Sequence, residues 1–190
     1  MWRAYVDESE SNQRIDPHTY LLAAAILHDH YVTEVRECMA LLRPKSGQLS
    51  KLHWHDESPL SRKAVMQTIA QIPALHVVVV RTGRPGEPAE RRRRKCFERL
   101  AHEFAVRGVE CVTAEARERK ANERELQHFN QLRTSRVIGS QVRLDHVPGP
   151  NEPLLWIADA VAGAVTAART GMREYLDELA GLVDVVTLGS

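Results

Sequence analysis

Residues 3–9, R-A-Y-V-D-E-S, constrain this chain more than any other stretch. Ala4, Tyr5 and Val6 form a short apolar run of strand-forming character that passes directly into two adjacent carboxylates, Asp7 and Glu8. Such a strand belongs inside a sheet. Side chains alternate between the two faces of a strand, so if both faces are covered, at least one of these carboxylates is pressed into the fold. A buried unpaired charge is destabilising or loses its charge, and a metal ion resolves the conflict. The alternative reading puts Asp7 and Glu8 just past the strand end, capping a turn, a place where Asp and Ser are common.

The rest of the chain alternates strand and helix patterns. Thr19–His28, nearly all apolar, pairs with the first strand as a hairpin, and residues 32–42 place Val35, Met39 and Leu42 at helical spacing, ended by Pro44 and Gly47. Residues 52–55, L-H-W-H, read as a third, shorter strand. Ser58 and Pro59 then open a helix whose inner face is Leu60, Ala64, Val65, Ile69 and Ile72, stopping at Pro73. Residues 75–80, L-H-V-V-V-V, predict a central strand, and residues 88–107 a helix with Cys96, Phe97, Leu100, Ala101 and Phe104 facing in. A strand over 109–114 leads to Glu115. Residues 117–136 predict a helix with Leu126, Phe129 and Leu132 inward, and 137–147 contain a further strand. A helix over 152–170 and a short last helix through Leu176, Leu179 and Leu182 close the chain. The pattern predicts one α/β domain over residues 1–190, a mixed sheet opening with an antiparallel hairpin and helices on both faces.

Composition excludes several classes. Net charge is +1, so any surface for nucleic acid must be local. The three cysteines, Cys38, Cys96 and Cys111, have no C-x-x-C spacing, which argues against a disulfide framework or thiolate zinc site and fits a reducing cytoplasm. No signal peptide is expected, and the longest apolar stretch, 153–168, falls short of the ~20 residues that span a bilayer and carries Asp159. No membrane segment is read.

Asp159 projects from the apolar helix L-L-W-I-A-D-A-V-A-G-A-V, one turn from Leu155, Ala162 and Gly163. It needs a compensating group: a metal ion, or else an arginine or the backbone of a neighbouring loop that it caps. Glu115 stands where a strand gives way to polar chain, a common ligand position in open α/β sheets, and equally one more Glu among several solvated ones. His53 and His55, aimed to one face if they lie on a strand, could form a metal site with Asp56 and Glu57, or be ordinary exposed histidines. The run Arg91, Arg92, Arg93, Arg94, Lys95 sits on a helix and offers phosphate contacts to DNA or RNA, with Arg91, Arg92, Arg94 and Lys95 the candidates; a solvated outer face is the alternative.

These motifs together resemble the family designated domain of unknown function 3800: Y-V-D-E-S at 5–9, L-H-W-H-D-E at 52–57, E-A-R at 115–117 and P-L-L-W-I-A-D-A-V-A-G-A-V at 153–165. The resemblance implies a ribonuclease H-like fold and a metal-dependent nuclease. It makes Asp7, Glu115 and Asp159 the ligands of one or two Mg²⁺ or Mn²⁺ ions, with Glu8 and His55 as helpers. Many relatives carry Gly where this chain has Glu10, and Asp where it has Glu115. Two rival functions accompany the nuclease expectation: an inactive module that binds nucleic acid or a protein, and a histidine-site metallohydrolase of a small substrate.

Overall fold

The opening strand β1 (Trp2–Glu10) runs antiparallel to β2 (Thr19–His28), with Asp7 opposite Ala23 and Glu8 opposite Leu22, so both carboxylates lie inside the strand. The computed structural model describes residues 1–12, 14–43 and 51–189. Strand β3 (Ala74–Thr82) continues the antiparallel meander, while β4 (Val109–Glu115) and β5 (Arg143–Val147) add in parallel on the other side of β1. With β6 (Val183–Leu188) parallel to β3, the order is β5-β4-β1-β2-β3-β6.

The continuous apolar run of β2 is explained by its place between β1 and β3 with both faces covered. Leu21, Ala23, Ala25 and Leu27 enter one core; Tyr20, Leu22, Ala24 and Ile26 enter the other. The first face is packed by α1 (Val32–Ala40), α2 (Pro59–Ile69), α5 (Pro153–Arg169) and α6 (Glu174–Asp177). The second is packed by α3 (Ala89–Val106) and α4 (Arg119–Thr134). Tyr5 joins the first core and Ala4 and Val6 the second, so period-two alternation sends Asp7 toward α5 and Glu8 toward α3. Helix α5 is buried from Pro153 through Ala167, because its Ala and Gly positions let the backbone lie close on β1 and β2. Each large apolar residue it buries, such as Leu154 or Ile157, contributes ~1.5–3 kcal/mol relative to exposure.

Four expectations are corrected. Residues 52–55 form no strand; a 3₁₀ turn covers Trp54–Asp56, its backbone held by Arg62 on the carbonyls of Trp54 and His55. In α2, Ser58 caps and Pro59 takes the first turn, and this phase turns Leu60 (81% exposed) and Ala64 to solvent while Val65, Met66 and Ile69 face in. In α4, Leu126 is half-exposed, whereas Ala121, Glu125, His128, Phe129 and Leu132 face the sheet or α3. The closing helix ends at Asp177, short of Leu179 and Leu182, and an edge strand, β6, follows with the β-branched run V-D-V-V-T-L. Pro44 and Gly47 lie outside the described residues. Among the described residues no helix is long and apolar enough to cross a membrane.

His76 on β3 shares its face with Ala74, Val78 and Val80, is 1% exposed, and neither ring nitrogen has a hydrogen-bond partner among the described residues. Burial pushes its pKa down from 6.5 to about 4. The unfolded chain therefore binds the extra proton first, and stability falls as pH drops from about 6.5 toward 4. Chemical denaturation across that window is expected to show a loss of about 3 kcal/mol from this group, and His76→Leu to remove that part of the slope.

Candidate functional site

Asp7, Glu115 and Asp159 come from three elements and line one pocket of about 260 Å³, together with Glu8, Lys51, His53, Arg93, Ala116 and Arg117. Two of the carboxylates are neighbours by strand register: Val6 pairs with Ala114 in parallel β1 and β4, so Glu115, the last residue of β4, comes beside Asp7 within β1 on the face that α5 covers. Asp159, on the second turn of α5, completes the group from above that face. Both aspartates are buried, at 7% and 5% exposure.

The electrostatics follow from that burial. Desolvation, then the carboxylates of Glu115 and Asp159, push the Asp7 carboxyl well above its ordinary range, with Lys51 opposing. Lys51 Nζ donates to Glu115 Oε1 at 2.8 Å and Oε2 at 2.7 Å, and stands 3.9 Å from Asp7 Oδ2. Burial works against its charge, but Asp7 and Glu115 outweigh it and its pKa is raised. Asp7 Oδ1 accepts the Glu8 backbone N–H at 2.8 Å, and Asp159 Oδ2 accepts that of Trp54 at 3.0 Å. His53 Nδ1 lies 3.2 Å from Asp159 Oδ2, and this carboxylate raises the imidazole pKa.

Two glycines make this geometry possible. A Cβ on Gly163 would lie 2.2–2.5 Å from the Trp54 indole, so only glycine lets Trp54 pack on α5 and bring its backbone N–H to Asp159 one turn away. A Cβ on Gly149 would lie 2.3 Å from Glu115 Oε1 and 2.8 Å from Lys51 Cδ.

On the opposite face, Glu8 pairs with Arg93 of α3 and accepts the Tyr20 hydroxyl at 2.6 Å. Arg93 also donates to Glu125 at 2.7 Å, and Glu125 meets His146 Nε2 at 2.8 Å. Glu8 is thus tied into a buried ion-pair network rather than standing free beside Asp7. Arg93 also reaches a groove of about 600 Å³ between α3 and α4, whose walls include Arg91, Arg94, Lys95 and Arg124.

The expected site residues fall into three groups. Asp7, Glu115 and Asp159 share the pocket, with Glu8 at its edge. His55 is exposed and outside the pocket wall, and His53 takes its place. His53 precedes the 3₁₀ turn and His55 lies within it; the two rings meet edge to face with centroids 5.8 Å apart, but only His53 reaches the pocket wall. In the basic run, Arg91, Arg94 and Lys95 are exposed and paired with Glu87 or Glu98. Arg92 is buried, its stem against Gly83, and lines neither the pocket nor the α3–α4 groove; Arg93, also buried, is the member that lines both. Lys51 and Gly149 were not expected here: Lys51 precedes a segment without periodicity, and nothing in its neighbours marks it; Arg117 stands in the E-A-R motif at 115–117 without an assigned role.

Carboxylate oxygens suit a hard divalent ion, and a buried Asp7 whose anionic form is disfavoured is short of positive charge, so the residues present fit such a cation. In this arrangement, no group of three His, Cys, Asp or Glu side chains among the described residues is gathered to hold a metal; Lys51 stands between Glu115 and Asp7.

No protein-family profile matches the chain, and no curated protein matches it. Solved structures do. A chain of the PCNA:RNase HII complex from Archaeoglobus fulgidus is 14% identical with a TM-score of 0.57, covering 94% of this chain and 77% of its own. Ribonuclease H2 from Pyrococcus horikoshii OT3 is 14% identical with a TM-score of 0.53, covering 94% and 76%. The chain has a ribonuclease H-like fold.

Two substitutions probe this construction. Gly163→Ala gains ~1 kcal/mol of helix propensity but forces the indole off α5, for a net expected loss of ~1–2 kcal/mol in denaturant melts with a changed tryptophan emission. Arg93→Met strands Glu8 and Glu125 without their cation and is expected to destabilise by ~3–5 kcal/mol, recovered in large part when Glu8→Gln and Glu125→Gln are added.

Proposed function

We propose that the chain is a divalent-metal-dependent nuclease that hydrolyses phosphodiester bonds in DNA or RNA, and a member of the family designated domain of unknown function 3800. The observation that carries this reading is the convergence of Asp7, Glu115 and Asp159, from β1, β4 and α5, on one pocket of a ribonuclease H-like fold. These three would hold Mg²⁺ or Mn²⁺. A bound ion of this kind stabilises charge on the phosphate and activates a water.

The chain's own residues supply the rest. Arg93 and Arg117 line the same pocket as the carboxylates and offer guanidinium groups to a phosphate. Arg91, Arg94, Lys95 and Arg124 extend positive charge along the adjoining groove, where a nucleic-acid backbone can lie. His53, beside Asp159, is the candidate for holding a proton at the pocket, in place of His55.

One observation favours a second reading, an inactive binding module: Lys51 already gives the carboxylates a counter-charge without metal. Cleavage of labelled DNA and RNA with and without Mn²⁺ separates the two. Metal-dependent cleavage is expected, with Asp7→Asn and Asp159→Asn each below about one hundredth of wild type while keeping a cooperative thermal melt. Full activity in either variant contradicts the nuclease reading; salt-sensitive binding without cleavage or any Mn²⁺ thermal shift supports the module.

A further inference from the structure

The carboxylate cluster carries three negative charges when fully ionised, and a site of that charge is usually matched with two divalent ions about 4 Å apart. Here a protein cation is already built in. Both oxygens of Glu115 are committed to Lys51 Nζ, at 2.8 and 2.7 Å, and Asp7 Oδ2 is 3.9 Å from it. The position is shaped for the lysine: Gly149 lacks the Cβ that would lie 2.8 Å from Lys51 Cδ, and its own carbonyl is fixed by the Trp156 indole N–H at 2.8 Å. Asp159, by contrast, meets a backbone N–H and the edge of an imidazole, neither of them a lysine or arginine cation.

We propose that Lys51 is a resident cation of this site, holding Glu115 in place of a second metal, so that the pocket takes one divalent ion rather than two. The inference rests on the metal-binding reading above and specifies its stoichiometry. One ammonium and one divalent ion neutralise the three carboxylates. A second divalent ion would leave the cluster two charges positive, with Lys51 Nζ repelling it from a few ångströms away. The ion then belongs between Asp7 and Asp159, and Lys51 is a positioning residue that aims Glu115 and sets the charge of the pocket.

The test is Mn²⁺ binding to the full chain, with free Mn²⁺ read by electron paramagnetic resonance. Wild type is expected to bind one ion per chain. Lys51→Met is expected to bind two, the tighter by about tenfold or more than in wild type, because an opposing charge has gone. Lys51→Arg should return to one, which a merely structural loss of the lysine stem would not produce. Circular dichroism checks folding, and Lys51→Gln carries the same expectation as Lys51→Met should the latter fail to fold. Two ions in wild type, or one ion at unchanged affinity in both neutral variants, overturns the inference and leaves the metal reading standing. Absence of Mn²⁺ binding in wild type and every variant overturns the metal reading, and the inference with it.

Discussion

Carboxylates that meet in a buried pocket repel one another, and the organisation of this chain turns on how that repulsion is balanced. Desolvation and two neighbouring carboxylates act together on Asp7, with only Lys51 opposing among the larger influences. The surrounding scaffold is correspondingly rigid: two strands in fixed register, and a helix buried along nearly its whole length. Packing holds the acids together against their charge. The conflict is characteristic of a site built to take a cation.

A single strand distributes the charges. Because β1 is covered on both sides, its alternation sends Asp7 into the α5 face and Glu8 into the α3 face, and each builds a different network. On the α5 side, acids outnumber the close-lying lysine. On the α3 side, Arg93 pairs with both Glu8 and Glu125, and Glu125 also meets the His146 ring, linking β1, α3, α4 and β5. This second network fixes one wall of the pocket, and it presents Arg93 both to the pocket and to the α3–α4 groove. Arg93 is thereby tied to the strand that carries the carboxylates.

What could be read from the chain alone follows the strength of periodic signals. The strand carrying Asp7, the apolar run of β2 and the small-residue helix around Asp159 are legible, because burial on two faces leaves near-continuous apolar sequence broken only by the acid. The 3₁₀ turn at Trp54–Asp56 is not: its conformation is set by Arg62 and by Trp54 seating on Gly163, contacts with no local pattern. The strand reading gave His53 and His55 equal standing and the resemblance singled out His55, whereas His53 is the one on the pocket wall. Lys51 and Gly149 escape notice for the same reason, since their roles exist only once β4 and the loop before α5 meet. Edge strand β6, V-D-V-V-T-L, does carry a β-branched strand signal; it lies at the rim of the sheet with its residues only partly covered.

The central claim is that Asp7, Glu115 and Asp159 form a cation site. A crystal structure of the chain grown with Mn²⁺, with anomalous scattering recorded, addresses it most directly. The account expects an anomalous peak inside the pocket, with carboxylate oxygens of Asp7 and Asp159 at coordination distances of roughly 2.0–2.6 Å. A pocket without such a peak while Mn²⁺ binds elsewhere on the molecule, or an Asp159 turned away from Asp7, would contradict it.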